Sequence, residues 1–532
     1  MAVLLKFLYL LTTSTLLQSV HFVVATQTPE EPFSPNADAC SSLQTTLRLE
    51  NTTVLLAQRI TSGSTISTPG SCQSSASVSS NVCRVLAVTN TTSSSAVHWE
   101  MWLPDQWFGR FLAVGNGGLG GCIDYSNIDY GSSLHFATIG TDNGHDGNSG
   151  SVFLNHPEVI NDFAFRAIHV SAVLGKQLAQ FYYKSKAQKS YYLGCSTGGR
   201  QGVQSALRFP DDFDGIVGGA PATDWNHLTG WSGMLSHDVG QPNGSPEKFI
   251  PTNLWPVITA EIMRQCDGLD GVLDQTITEP DECIFRPESL LCSTSNPPSP
   301  ANSSTCLTPT QVQTLKNIYS PLFGDEGQLL YPRYDPGAEA DGNFAFVFGP
   351  TFFPFTNDWL SFTIFNDSTH NFQNFSRADI EFSDTINPGG ISTWNGDLSS
   401  FKNRGGKFIT YHGRRDQLIA SGNSKRMYDL ISSTMQLPTL DSFYRLFLVP
   451  GMNHCFGGPG ASAFGQAGIA SNAVNDTRHN VLLAMVDWVE KGRAPDTIIG
   501  TTIGPASNAT HRVHCRYPTK SVLVGREFVC QA

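Results

Sequence analysis

One serine stands between glycines in a short stretch that could supply a nucleophile. The stretch is Gly194-Cys195-Ser196-Thr197-Gly198. It follows the β-prone residues 191–193 and precedes a helical pattern over residues 200–209. A serine on such a sharp turn from strand to helix needs glycine neighbours, because side chains there would collide. The pattern favours a nucleophilic serine, and an ordinary Gly/Ser loop is the alternative.

A serine nucleophile needs a base and an acid. A serine hydroxyl reacts poorly at neutral pH, so a histidine must take its proton and a carboxylate must orient that histidine. In α/β-hydrolases the chain order is serine, acid, histidine, each after a strand. Asp416 follows a predicted strand over residues 407–411, and His454 follows one over residues 445–449. These two residues are therefore the catalytic candidates beside the serine; the nearest rival base, His412, precedes the acid.

A glycine-rich loop could supply the third component, an oxyanion site. Gly115-Asn116-Gly117-Gly118 follows directly after the apolar strand predicted over residues 111–114. Backbone N–H groups on such a loop can converge on an anion. We expect the oxyanion to be held by the N–H of Thr197 and by one from Gly117 or Gly118. The alternative is an ordinary glycine-rich turn.

Strands and helices alternate on both sides of a long irregular segment. Strands are predicted at 53–60, 83–88, 98–103, 111–115, 213–220, 407–411 and 445–449, and helices at 163–185, 200–209 and 480–490. We expect the strands at 98–103 and 111–115 to pair around a turn. The alternation predicts the α/β class: an α/β-hydrolase core with a parallel-rich sheet and a large inserted lid domain. Residues 26–222 and 401–532 form the predicted catalytic domain, and residues 223–400 form the lid.

Composition restricts the compartment and the partners. The net charge is −12 over 532 residues, which argues against nucleic acid and anionic membranes, since both attract basic patches. Residues 1–25 have the charged start, apolar middle and small-residue exit of a secretory signal, with a membrane anchor as the alternative. Eight N-x-S/T sequons fit a secreted glycoprotein: Asn51, Asn90, Asn243, Asn302, Asn366, Asn374, Asn475 and Asn508.

Cysteines adjoin two of the catalytic candidates. The chain has 12 cysteines, a number that suits an oxidising compartment. Cys195 precedes Ser196, and Cys455 follows His454. A bond between these two cysteines would tie nucleophile and base together across the sequence. Unrelated structural cysteines are the alternative.

These motifs together resemble the fungal tannase and feruloyl esterase family. Cys195-Ser196, Asp416 and His454-Cys455 are similar to the CS-D-HC arrangement of that family. The similarity extends over nearly the whole chain after the signal, and the surroundings of the serine are most similar to feruloyl esterases of the B type. The resemblance implies a secreted serine carboxylic ester hydrolase. It would release ferulic, caffeic and p-coumaric acids from plant cell-wall or other phenolic esters through an acyl-enzyme.

Two other functions remain open: a tannase that hydrolyses galloyl esters, and a catalytically silent binding protein on the same fold. The resemblance also implies a structural Ca²⁺ in the lid, where an acidic turn could instead be merely solvated. The implied ligands are the carboxylates of Asp267, Asp270 and Asp274 and the backbone oxygens of Val272 and Thr276. The implied disulfides are Cys40–Cys83, Cys72–Cys122, Cys195–Cys455, Cys266–Cys283, Cys292–Cys306 and Cys515–Cys530.

Overall fold

A computed structural model describes residues 37–292, 305–466, 474–504 and 509–532. The signal peptide predicted over residues 1–25 lies outside these ranges. Within them, no helix is both long enough and apolar enough to cross a membrane.

The strands are β1 (Thr52–Ile60), β2 (Ser64–Ser67), β3 (Ser75–Val78), β4 (Val82–Asn90), β5 (Ala96–Pro104), β6 (Arg110–Val114), β7 (Phe136–Thr141), β8 (Lys189–Cys195), β9 (Gly215–Gly219), β10 (Leu322–Phe323), β11 (Leu329–Tyr331), β12 (Lys407–Gly413), β13 (Tyr444–Val449), β14 (Thr497–Thr501), β15 (His511–Cys515), β16 (Lys520–Val524) and β17 (Glu527–Gln531). The α-helices are α1 (Ala37–Ser41), α2 (Leu43–Thr46), α3 (Tyr125–Ser133), α4 (Pro157–Asn161), α5 (Ala167–Tyr183), α6 (Thr197–Arg208), α7 (Trp225–Asp238), α8 (Trp255–Cys266), α9 (Pro309–Ile318), α10 (Phe344–Val347), α11 (Pro354–Trp359), α12 (Arg377–Ile386), α13 (Ser399–Asn403), α14 (Gly422–Thr434) and α15 (Val481–Lys491).

A nine-stranded mixed sheet forms the centre, in the order β1-β4-β5-β7-β6-β8-β9-β12-β13. From β7 to β13 every neighbouring pair is parallel, whereas β1, β4, β5 and β7 pair antiparallel. Parallel neighbours need crossover connections, and helices supply them here. The predicted α/β class with a parallel-rich sheet is confirmed.

The predicted pairing of residues 98–103 with residues 111–115 is wrong. These residues form β5 and β6, but β7 lies between them, with Ile139 opposite Met101 on one side and opposite Ala113 on the other. A short connection between two strands favours a hairpin. Here the chain instead crosses over through α3 and returns as β7 into the gap between them.

Helices cover both faces of the sheet. On one face α5, α6 and α14 bury Leu178, Val203 and Met427 in a common cluster. On the other face α3 and α15 bury Ile128 and Met485. Because both faces are covered, the strand ends are the places where polar side chains can gather.

The chain between β9 and β12 adds helices α7 to α13 and the hairpin β10–β11. Its described residues supply no strand to the central sheet. They share a hydrophobic cluster whose buried side chains include Trp231, Trp255 and Trp359. This segment coincides with the lid predicted over residues 223–400, and those domain boundaries stay a prediction.

Six disulfides join the cysteines in the pairs that the resemblance implies, and no described cysteine is free. The bonds are Cys40–Cys83, Cys72–Cys122, Cys195–Cys455, Cys266–Cys283, Cys292–Cys306 and Cys515–Cys530. The Cys195–Cys455 bond spans 260 residues and connects the end of β8 to the loop that follows β13.

The sequon asparagines that the structure describes are all exposed. They are Asn51, Asn90, Asn243, Asn366, Asn374 and Asn475. Asn302 and Asn508 lie outside the described residues. Glycan attachment needs an accessible side chain, so the described sites satisfy that requirement, and glycosylation itself stays a prediction.

Candidate active site

Ser196 occupies the sharp turn between strand β8 and helix α6. Its φ of 65° and ψ of −123° are unusual for a residue with a side chain. The turn is held by the Ser196 N–H, which donates to Gly219 O at 3.0 Å, and by Ser196 O, which accepts from Ala222 N–H at 3.0 Å. Such strain persists only where the surrounding structure fixes it, and it clusters at functional sites.

The glycines beside the serine are required by close contacts. A Cβ on Gly194 would lie 2.8 Å from Tyr192 Oη, and one on Gly198 would lie 3.0 Å from Asn116 O. α6 begins at Thr197, earlier than the predicted residue 200. Its first turn therefore faces the glycine-rich loop directly.

Asp416 and His454 meet at the carboxyl ends of β12 and β13. Asp416 is fully buried, and its Oδ2 accepts from His454 Nδ1 at 2.7 Å. Its Oδ1 accepts from the N–H groups of Leu418 at 2.8 Å and Ile419 at 2.9 Å. This is the arrangement in which a carboxylate fixes the tautomer and orientation of an imidazole.

The environment of Asp416 keeps the carboxylate ionised. Burial alone would raise its pKa. The charge of His454 and the hydrogen bonds from His412 and His454 outweigh burial and hold the pKa of Asp416 well below its usual value. These contacts favour the ionised carboxylate beside the imidazole.

His412 is a second donor to the same carboxylate. Its Nε2 lies 3.1 Å from Asp416 Oδ2 and 3.0 Å from Ile419 O. Both partners are acceptors, so Nε2 carries the proton. Nδ1 then accepts from the Ser424 hydroxyl at 2.7 Å. His412 therefore donates a hydrogen bond that helps to orient the Asp416 carboxylate. From the chain order alone, His412 is only an alternative to His454 as the base.

The Cys195–Cys455 disulfide connects the serine side of the site to the histidine side. The two Cα atoms are 5.9 Å apart, and each cysteine adjoins a candidate, Ser196 or His454. Cys455 adopts a left-handed φ of 63°. The bond holds together two turns that leave the sheet from strands β8 and β13.

The glycine-rich loop lies against the start of α6. Thr197 Oγ1 donates to Gly118 O at 2.6 Å, and both residues line the pocket that contains Ser196. N–H groups in the first turn of a helix have no intrahelical acceptor, so that of Thr197 can serve a ligand. Gly117 is not part of this pocket lining, although the space at its Cβ position is open.

Asn116 and Gln201 hold the loop in place, a role that the sequence did not indicate. Gln201 Oε1 accepts from Asn116 N–H at 3.0 Å, and Gln201 Nε2 donates to Asn116 Oδ1 at 3.0 Å. Asn116 Nδ2 also donates to the carbonyls of Cys122 and Thr141. Gln201 is buried on α6 together with other polar residues such as Arg200, so its residue type alone did not distinguish it.

An apolar pocket opens beside Ser196. Its apolar walls are Trp225, Leu228, Phe353, Phe355, Leu418 and Ile419. Besides Ser196 and Thr197, two further hydroxyl-bearing residues, Thr229 and Ser232, line it. Sequence reasoning missed these walls because most of them come from the irregular segment after β9, and only proximity in space selects them.

The acidic loop after α8 has the donor chemistry of a Ca²⁺ site. Burial raises the pKa of Asp274; the charge of Arg512 opposes that shift, and the charges of Asp270 and Asp267 add to it. Carboxylates that repel one another in this way would be stabilised by a hard cation. The donor set therefore fits calcium.

The side chains of the loop are engaged with its backbone. Asp267 and Asp274 each accept from Thr276 N–H at 3.1 Å, and Asp270 accepts from Val272 N–H at 3.0 Å. No group of three or more His, Cys, Asp or Glu side chains converges in metal-binding geometry in the ranges that the structure covers. Calcium binding thus rests on donor chemistry and stays a prediction.

Comparison with known proteins places the chain in a family. A family model described as "Tannase and feruloyl esterase" matches residues 83–530. A protein named "Probable feruloyl esterase B-2" from Aspergillus terreus is 42% identical over 495 residues, which cover 91% of this chain and 92% of that protein. The crystal structure of feruloyl esterase B from Aspergillus oryzae is 40% identical, with a TM-score of 0.89, and covers 93% of this chain and 100% of that one.

A more distant structure, the tannin acyl hydrolase from Aspergillus niger, shares the fold. It is 22% identical, has a TM-score of 0.73, and covers 93% of this chain and 95% of that one. The family model and the relatives named feruloyl esterase B both match over most of the chain. The chain belongs to the tannase and feruloyl esterase family of carboxylic ester hydrolases.

Proposed function

We propose that the chain is a secreted serine esterase that releases hydroxycinnamic acids from plant cell-wall and other phenolic esters. One observation carries the proposal: the Asp416–His454 pair is tied by the Cys195–Cys455 bond to a strained serine at the mouth of an aromatic pocket. The relatives named feruloyl esterase B support the substrate class.

The reaction proceeds through an acyl-enzyme. Ser196 Oγ attacks the ester carbonyl while His454 takes the hydroxyl proton, and Asp416 stabilises the resulting imidazolium. His454 then gives that proton to the leaving alcohol, and the acyl group remains on Ser196. Water repeats the sequence and releases the acid. The N–H of Thr197 and one from Gly117 or Gly118 hold the oxyanion.

The acyl pocket favours a ring with few hydroxyls. Thr229 Oγ1 donates to Trp225 O at 3.0 Å, and Ser232 Oγ donates to Leu228 O at 3.0 Å. Both hydroxyl protons are donated to backbone carbonyls of α7. These hydroxyls can therefore only accept hydrogen bonds from a ligand. They suit one or two phenolic donors on an otherwise apolar ring. A galloyl ring brings three donors to the same largely apolar wall, where pairing all of them is harder than pairing one or two.

We expect methyl p-coumarate, caffeate and ferulate to have higher kcat/KM values than methyl gallate. The expected margin is about tenfold or more, since one unpaired buried hydroxyl costs roughly 1–3 kcal/mol. Initial rates with the four esters, measured side by side, give the ratio. Ser232→Ala should lower the rate with p-coumarate more than the rate with methyl cinnamate, which lacks a ring hydroxyl. A preference for gallate would identify a tannase, and no hydrolysis of any ester would favour a binding protein.

The segment over residues 223–400 serves as the lid in this proposal. Its residues Phe353 and Phe355 line the pocket. The Phe355 ring lies close to Gly118, since a Cβ added to that glycine would be 3.0 Å from the ring. The acyl group is therefore enclosed between the lid and the oxyanion loop. Excluding water in this way strengthens the hydrogen bonds made to the oxyanion.

Calcium is proposed to stabilise the lid. Asp267, Asp270 and Asp274 would bind it through carboxylates, and Val272 and Thr276 through backbone oxygens. Removal of the ion by a chelator is expected to lower the thermal unfolding midpoint by several degrees, because bound metal stabilises only the folded state. Differential scanning fluorimetry with and without added Ca²⁺ measures the shift. Asp267→Asn should abolish it, and an unchanged midpoint after chelation would contradict the site.

A further inference from the structure

The alcohol part of the substrate must lie near the loop after His454. In the proposed reaction the imidazole of His454 returns its proton to the leaving oxygen, so the alcohol leaves on that side. The acyl pocket is lined from α7, from residues 353–355 and from residues 418–419. Its described lining includes no residue of the loop over residues 455–460. The acyl pocket therefore does not use this loop, which directly follows His454 in the chain.

An exposed aromatic ring stands on this loop. The Phe456 side chain is 50% exposed although it lies only two residues beyond His454. Its N–H donates to His454 O at 2.7 Å, and Asn453 N–H donates to Gly457 O at 3.2 Å. The adjacent Cys455 is fixed by its disulfide. The backbone that carries the ring is thus held in place relative to the imidazole.

The residues next to Phe456 in the loop leave open space and include an amide. A Cβ on Gly457 would meet only Asn453 Nδ2, at 3.9 Å. Asn453 Oδ1 lies 3.4 Å from Arg415 Nη1. Arg415 also pairs with Asp341, whose side chain is 59% exposed. An exposed aromatic face on a loop with an amide, which Arg415 links to the exposed Asp341, suits a sugar ring, because a sugar presents an apolar C–H face and hydroxyls at its edge.

We propose that Phe456 and Asn453 form a subsite for the sugar ring of the leaving alcohol. The inference rests on the proposed function, because it takes the ester of a hydroxycinnamic acid as the substrate. The sugar ring lies on the exposed face of Phe456. The Asn453 amide and the Asp341 carboxylate hydrogen-bond to its hydroxyls. A methyl ester lacks these contacts and uses the acyl pocket alone.

Kinetics with two esters of the same acid test the subsite. The probes are 6-O-feruloyl glucose and methyl ferulate. Phe456→Ala is expected to lower the ratio of their kcat/KM values about tenfold, mainly through KM of the sugar ester. This is the effect of losing roughly 60 Å² of apolar contact. Phe456→Trp should preserve the ratio. Phe108→Ala, which removes another ring, 55% exposed, is the matched control and should leave the ratio unchanged.

Binding of the alcohol without any acyl group separates this inference from the proposed function. Saturation-transfer NMR with methyl β-glucoside should show contact in the wild type and in Phe108→Ala and should lose it in Phe456→Ala. If the wild type fails to hydrolyse methyl ferulate but retains this contact, the proposed function fails and the subsite stands. An unchanged kcat/KM ratio in Phe456→Ala overturns the subsite. So does an equal loss on both esters, which would assign the ring to positioning His454.

Discussion

Ser196→Ala is expected to lower kcat for methyl ferulate by roughly 10⁵-fold, because it removes the atom that attacks the ester. The folded state should be retained. Alanine keeps the Cβ, so the turn at φ 65° is no more strained than in the wild type. The hydrogen bonds that fix this turn, to Gly219 and Ala222, come from the backbone. The thermal unfolding midpoint should therefore stay within a few degrees of the wild type.

Labelling with a serine-directed phosphonate checks the same point by a route independent of turnover. Mass spectrometry should find one added phosphonyl group on the peptide that contains Ser196 and none in Ser196→Ala. Ser205→Ala is the matched control, since Ser205 is a buried serine of the same helix that bonds to Gln201 O. It should keep both labelling and turnover. Activity above a tenth of the wild type in Ser196→Ala would refute the assignment.

The sequence predicted the positions of the catalytic candidates well because each lies at the end of a strand. Buried strands such as β12 have a largely apolar pattern, and parallel neighbours place their carboxyl ends at one edge. Ser196, Asp416 and His454 could thus be assigned to the same edge without knowing the strand order. The glycine spacing around the serine added the sharp turn.

The sequence could not predict which strands are neighbours in the sheet. The insertion of β7 between β5 and β6 depends on how α3 crosses the sheet. The local hydrophobic pattern of the sequence does not determine that path. The pocket walls were hidden for a related reason. Trp225, Phe353 and Phe355 are apolar residues in an irregular segment, where no period separates a residue that faces substrate from one that faces the core.

The role of His412 illustrates a third limit. Its position in the chain indicated only a histidine close to the acid. The role appears once the two acceptors around Nε2 and the hydroxyl at Nδ1 are known. A hydrogen-bond network of this kind is set by side-chain orientation, which spacing does not determine.

Asp416→Asn is expected to reduce both activity and stability strongly, because of the hydrogen bonds that the carboxylate accepts. Four N–H groups point at the carboxylate: those of His412 and His454 at Oδ2, and those of Leu418 and Ile419 at Oδ1. An asparagine has one acceptor oxygen and one NH₂ group, so either orientation sets its NH₂ against two donors. Facing the histidines, the NH₂ forces His454 into the tautomer that cannot accept the serine proton. Facing the backbone, it leaves two buried N–H groups unpaired.

We therefore expect Asp416→Asn to lower kcat by about 10⁴-fold and the free energy of unfolding by about 2–4 kcal/mol. The matched control is Asp335→Asn. Asp335 is a buried aspartate that accepts from Ser421 N–H at 2.8 Å; its substitution should cost stability but keep kcat within a few-fold. Steady-state kinetics and denaturant unfolding provide the two readouts. A kcat within tenfold of the wild type in Asp416→Asn would show that the carboxylate does not orient the base.

The free energy of unfolding should also depend on pH in a direction that the pKa of Asp416 fixes. The pKa of Asp416 is depressed in the folded state, so its contribution to stability is fully present above the unfolded value of about 3.9. The contribution is lost as pH falls through the depressed folded pKa. Asp416 itself should therefore contribute a constant amount to the stability gap between the wild type and Asp416→Asn from neutral pH to about pH 5, and the gap should narrow in stronger acid. A gap that widened below about pH 5 would mean that the pKa of this carboxyl group is raised, not lowered, in the folded protein, which contradicts the ion pair with His454.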